Sequence, residues 1–224
     1  LLQSICGIVN GSTNYILTRL SEGYTYSEAL LEAQQKGFAE SNPALDVEGF
    51  DPANKLTILL AHAYGIITEP SNLLRQGITR LHAKDAAYAS EKGLKIKLVA
   101  QAKKLSDGKV AAFVLPQFVK TNSQLFNVAN EYNGVTIESK LADKQFFYGK
   151  GAGRYPTSSA VISDISAFGY SYQYEYKKLK RQDKSSLTHN YYLDVFVSFS
   201  AWTDVNKWDF EQVTEYHSTA ERQY

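Results

Sequence analysis

The sequence predicts an α+β fold, a mixed β-sheet covered by helices on one face with a small C-terminal appendage. Three observations predict it. Two capped helical patterns occupy the first third of the chain. A long hairpin pattern follows, with alternating residues on both sides of a Ser-Asp-Gly turn at 106–108. Two further strand-like runs then lead into another helix.

Taken in order, residues 25–37 read as a helix because Thr25 and Glu28 have capping-box spacing and Ala29, Leu30 and Ala33 share one face. Gly37 ends it, as a residue that tolerates positive φ should. Asp51 followed by Pro52 reads as the next helix start, with the aspartate as cap and proline at the first helical position. That helix runs through LTILLAHAY to Gly65. Segments 94–105 and 109–119 form the hairpin, with Lys95 and Lys97 alternating against Ile96 and Leu98 and Gly108 in the turn. A short helix is expected at 124–131, strands at 134–140 and 145–149, and a helix starting near Pro156.

Composition sets bounds. A chain of 224 residues, 44% hydrophobic, can hide roughly 70% of the surface its unfolded form exposes. A net charge of +1 gives no electrostatic footprint for nucleic acid, and the run KKLKR at 177–181 reads as a solvated linker. The lone Cys6 cannot form an internal disulfide, which suits a reducing cytoplasm, and in its apolar run it reads as a buried small hydrophobe. No apolar stretch is long enough to span a membrane.

The chemistry concentrates between Glu32 and Lys55. Lys55 lies four residues beyond Asp51, so carboxylate and ammonium share a helix face and can meet. An aspartate cap followed by a surface lysine is also ordinary helix chemistry. The loop before it, however, places Glu40, Asp46, Glu48 and Asp51 within twelve residues, punctuated by Pro43 and Gly49. Such a cluster repels itself unless it is solvated or given a cation. The segment has no histidine and lacks the calcium-loop spacing, so no metal is expected. A ligand ammonium fits better: acids beside a lysine suit a zwitterionic substrate with an amine at one end and a reacting oxygen at the other.

Ala33, Gly37, Phe38, Pro43, Asp46, Gly49, Asp51 and Lys55 together resemble the signature of homoserine dehydrogenases, without gaps. Glu40 falls where that family keeps a substrate-binding glutamate, and Leu45 stands where some members carry a further aspartate. The resemblance extends through GIVNGSTNYIL, GITR near residue 77, and YGKGAGRYPTSSAVISDI at 148–165, covering most of residues 6–168. It implies NAD(P)-dependent interconversion of L-homoserine and L-aspartate 4-semialdehyde, a step toward threonine, methionine and isoleucine. It implies Lys55 as the proton donor or acceptor, with Asp51 beside it. It further implies substrate contacts from Glu40, Asp46 and Asp51, cofactor contacts from Gly37 and Gly153, and a homodimer formed through this domain. A non-catalytic amino-acid-binding or dimerisation module that keeps the signature is the alternative.

An enzyme of this kind needs a dinucleotide-binding domain, and the best candidate for its glycine-rich turn is GKGAG at 149–153. There the third glycine of the fingerprint is replaced by Arg154, and the position is too late in the chain for a full nucleotide domain to follow. The expectation is therefore a substrate and dimerisation fragment, inactive alone, with the nucleotide domain and the family's monovalent-cation site upstream of Leu1. Residues 1–168 form the expected catalytic domain, 169–190 a linker, and 191–224 a truncated or reduced regulatory-like appendage. In that appendage YYLDVFVSF reads as a strand, and Trp202, Trp208 and Tyr216 read as aromatic packing.

Overall fold

The computed structural model describes residues 2–173, 178, 185–199, 201–205 and 210–215. The chain divides into two compact units, Leu1–His189 and Asn190–Tyr224.

The first unit is built on a six-stranded sheet of order β2-β4-β3-β1-β5-β6. Its strands are β1 (Leu2–Ile8), β2 (Leu74–Arg75), β3 (Leu94–Lys104), β4 (Val110–Lys120), β5 (Tyr132–Ser139) and β6 (Asp143–Lys150). All neighbours are antiparallel except the short β2, which runs parallel to β4 and makes the sheet mixed. The expected hairpin forms, with Leu94 opposite Lys120 and Lys104 opposite Val110, and Gly108 in the turn takes φ +86°.

The central strands β3 and β4 bury residues on both faces, and alternation sorts these between two clusters. Ile5, Leu98, Ala100, Ala102, Val110, Ala112 and Val114 share one core cluster with residues of α1 (Gly11–Ser21), α2 (Tyr26–Gln35), α4 (Phe50–Tyr64) and α5 (Ala83–Glu91). Helices α1, α2, α4 and α5 therefore pack on one face. A smaller cluster of Ile8, Val99, Val119, Leu125 and Val128 involves the 3-10 helix Gln124–Asn127, a single short turn where a helix over 124–131 was expected.

Helix α2 has the predicted capping box between Thr25 and Glu28, and Gly37 follows its end at φ +73°. The start of α4 differs from the expectation. Gly49, in the left-handed region at φ +81°, is the cap; Phe50 opens the helix and Asp51 is its second residue. Asp51 does not cap because its carboxylate is engaged across the fold. Pro52 still sits in the first turn, where its missing N–H leaves no hydrogen bond unmade. A four-residue helix α3 (Ala44–Val47), absent from the sequence reading, carries Asp46.

Lys97 departs from the alternation. It is 3% exposed, not on a solvated face. Near this end of β3, β1 has already turned away into α1, and Asn14 of α1 and the carbonyl of Val128 receive the ammonium at 3.0 and 2.6 Å. Helix α6 (Arg154–Phe168) begins two residues earlier than Pro156.

In the second unit, residues 191–198 form no strand, contrary to expectation, and Phe199 makes an isolated bridge. Aromatic and β-branched residues supply strand propensity, which is a weak preference that tertiary context overrides here. A short helix α7 (Trp202–Val205) follows. The side chains of Trp202, Trp208 and Tyr216, and most of the run at 177–181, lie outside the described residues. Among the described residues no helix is long and apolar enough to cross a membrane.

Candidate functional site

The end of β1 organises the site. After the apolar strand, Asn10 caps α1: its Oδ1 accepts from the Thr13 backbone N–H and from the Thr13 hydroxyl, each at 2.9 Å. That fixes the orientation of the amide. Its Nδ2 then faces outward and donates to Asp46 Oδ1 at 2.6 Å and to Asp51 Oδ2 at 2.9 Å. Lys55, one turn beyond Asp51 on α4, donates from Nζ to the same Asp51 Oδ2 at 2.7 Å and to the Val9 carbonyl at 3.0 Å. The predicted carboxylate–ammonium pair is therefore present, and β1 supplies its other contacts.

The loop that bears Asp46 is held from behind by the Gly-Ile-Thr-Arg segment. The Ile78 N–H donates to the Val47 carbonyl at 2.7 Å, and Ile78 itself is fully buried. A β-carbon at Gly77 would lie 2.1 Å from that carbonyl oxygen, so only glycine allows the approach. Arg75 donates to the Glu48 carbonyl and lies over the Phe50 ring at 3.6 Å. These contacts pin α3 and the first turn of α4 relative to each other.

Around the pair opens a cleft of about 890 Å³. Asn10, Gly11 and Ser12 at the start of α1 line it together with Asp46, Asp51 and Lys55. Lys36, Gly37, Phe38, Glu131, Asn133, Lys150 and residues 151–156 also line it. Glu131 and Lys150 pair at 3.1 Å. Burial pushes the Glu131 carboxyl up, but its own backbone amide and the Lys150 ammonium outweigh this and hold it below the usual glutamate range. The cleft thus presents both signs of charge, as a zwitterion requires, with an amine and a carboxylate in direct contact at one end.

Of the residues expected from the sequence, Asp46, Asp51, Lys55, Gly37 and Gly153 all line this cleft. Gly153 takes φ +109° at the cap of α6. Glu40 does not line it. It is exposed, and its backbone carbonyl accepts from the Gln34 side chain at 3.0 Å. The GKGAG turn follows a strand that is antiparallel to its neighbour, so it is not the glycine turn of a parallel nucleotide-binding unit. Asn10, Ser12, Glu131 and Lys150 were missed as site residues. Asn10 alone left a signal: an asparagine between an apolar run and Gly-Ser-Thr is a helix cap at the end of a strand. No group of three or more potential metal ligands occurs among the described residues.

The homoserine dehydrogenase family profile matches residues 1–166. The chain is 41% identical over 168 residues to a homoserine dehydrogenase of Synechocystis, covering 73% of this chain and 39% of that protein. It is 38% identical over 169 residues to that of Corynebacterium glutamicum, with 73% and 38% covered. Among solved structures, it resembles S. aureus homoserine dehydrogenase at TM-score 0.71 and 35% identity, covering 79% of this chain and 46% of that one. It resembles the Thiobacillus denitrificans enzyme at TM-score 0.74 and 32% identity, covering 83% and 45%. A hyperthermophilic archaeal homoserine dehydrogenase mutant solved in complex with NADPH matches at TM-score 0.64 and 31% identity, covering 77% and 49%. The chain spans about two fifths of the length of the curated relatives it matches. With the gapless run from Ala33 to Lys55 folded around one cleft and the profile matched over three quarters of its length, this chain belongs to the homoserine dehydrogenase family.

Proposed function

We propose that this chain supplies the substrate half of an NAD(P)-dependent homoserine dehydrogenase, which interconverts L-homoserine and L-aspartate 4-semialdehyde. The observation that carries the reading is Lys55 Nζ held at 2.7 Å on Asp51 in a cleft of mixed charge. In the reducing direction the Lys55 ammonium gives its proton to the aldehyde oxygen as hydride reaches the carbonyl carbon; in the oxidising direction the amine takes the hydroxyl proton back. The Asp51 carboxylate and the Val9 carbonyl hold that amine on the substrate side of α4. Asp46 and Asp51 receive the substrate ammonium. Glu40 is assigned a substrate contact from the family pattern alone.

A nicotinamide cofactor supplies the hydride. The residues present fit one: Gly37 and Gly153 leave their side of the cleft bare, and a β-carbon at Gly37 would meet nothing within 4 Å. Both glycines are proposed as cofactor contacts. We also propose a homodimer, supported by the edge strand β6, on which Phe147 and Tyr148 are more than half exposed. A reducing, cytoplasmic setting suits Cys6, a half-buried thiol rather than the fully buried one expected, pushed up to about 11 by burial despite Lys144.

The test is Lys55→Met in a catalytically competent polypeptide carrying this chain. Loss of a general acid should lower kcat by about 10²- to 10⁴-fold with the fold intact. Turnover within threefold of the parent, roughly 0.7 kcal/mol by the relation of rate to barrier, would make the chain a non-catalytic module that merely keeps the signature.

A further inference from the structure

We infer that Asn10 is a positioning residue of this site, a neutral clamp that holds two carboxylates together and thereby sets where Lys55 stands. The inference rests on the proposed homoserine dehydrogenase reading. Asp46 Oδ1 and Asp51 Oδ2 both touch one nitrogen, at 2.6 and 2.9 Å. They therefore lie within the roughly 4–6 Å over which like charges oppose one another strongly. Two amide hydrogens separate them, one for each carboxylate. Asn10 is 5% exposed, so water does not share this task freely.

The amide cannot be turned around. Its oxygen is committed to two Thr13 donors, and facing that oxygen toward two carboxylates would place acceptors against acceptors. Asn10 thus joins three elements at one point: the end of β1, the α3 loop through Asp46, and α4 through Asp51. Lys55 shares Asp51 Oδ2 with Asn10 and takes its second contact from Val9, the residue before it. Without the clamp Asp51 keeps only the lysine, Asp46 loses its described partner, and their repulsion moves the carboxylate that orients the amine.

Cap and clamp can be separated by substitution. Serine and aspartate both replace asparagine as helix caps at little cost. Serine cannot donate to two carboxylates at once, and aspartate adds a third negative charge. In a catalytically competent polypeptide, Asn10→Ser should melt close to the parent yet lose about 10- to 100-fold in kcat, with KM for L-homoserine changing less. Asn10→Asp should lose more. A kcat for Asn10→Ser within threefold of the parent, or losses in both variants that simply follow their melting temperatures, would overturn the clamp. A second measurement needs no activity: by NMR of the 224-residue chain, Asp46→Asn and Asp51→Asn should each shift the Asn10 side-chain amide proton resonances. An Asn10 amide insensitive to both would overturn the clamp even if the homoserine reading stands. Movement of that amide together with near-parental turnover of Lys55→Met in the competent polypeptide would leave the clamp intact and sink the homoserine reading.

Discussion

Lys97 gives the sharpest test of the packing, because a buried ammonium leaves a signature in stability as a function of pH. Burial, reinforced by the nearby Lys95, pushes Lys97 down from 10.5 to about 7, and no carboxylate pairs with it in the contacts described: its acceptors are Asn14 Oδ1 and the Val128 carbonyl. Below pH 7 both folded and unfolded chains hold the proton, and the full cost of the buried charge is present. Between about 7 and 10.5 the unfolded chain binds more protons than the folded one, so stability rises with pH. The slope approaches about 1.4 kcal/mol per pH unit, and the whole window is worth on the order of 5 kcal/mol. Lys97→Met removes this slope. It also leaves Asn14 Oδ1 without that donor, at about 1–3 kcal/mol, while Val128 keeps the Asn14 amide at 3.3 Å. Urea melts followed by far-ultraviolet circular dichroism at pH 7, 8, 9 and 10 measure both quantities. Other groups titrate in this range, so the difference between parent and variant is the readout. Parallel stability curves across the window would refute a buried, charge-penalised Lys97.

Gly77→Ala should destabilise the first unit by about 1–3 kcal/mol in the same assay, since its β-carbon would meet the Val47 carbonyl and the Glu48 backbone; an unchanged melt would mean the segment is not packed there. Thr25→Ala should cost about 1 kcal/mol by breaking the capping box, with no effect on turnover in an active polypeptide; a catalytic defect would contradict a purely capping role for Thr25. Asp46→Asn should weaken L-homoserine binding about 10- to 100-fold, the worth of a charge-assisted hydrogen bond, as read from KM and by calorimetry. Unaltered affinity would remove Asp46 from the amine subsite.

Periodicity and capping carried the elements that rest on local chemistry. Thr25, Glu28 and Gly37 delimit α2, and Gly108 sets the hairpin turn, because each acts within a few residues of itself. What sequence could not show were choices made by distant partners. Asp51 has the residue type and neighbour of a helix cap, yet Asn10, forty-one positions earlier, draws its carboxylate away and Gly49 becomes the cap. Lys97 has the spacing of an outward-facing strand residue, yet Asn14 and Val128 receive it where β1 leaves the sheet. The site was half legible for the same reason. Its acids and lysine lie within one run of sequence, whereas Asn10, Glu131 and Lys150 reach the cleft only through the sheet order that sets β1 beside β5 and β5 beside β6.

The central claim, that Lys55 exchanges a proton with the reacting oxygen of a zwitterionic substrate, is tested most directly by a crystal structure of a catalytically competent polypeptide carrying this chain with L-homoserine bound. The predicted result is the substrate hydroxyl within about 2.6–3.2 Å of Lys55 Nζ and the substrate ammonium on Asp46 or Asp51. Homoserine seated in the cleft with its hydroxyl turned away from Lys55, or bound outside the cleft altogether, would contradict it.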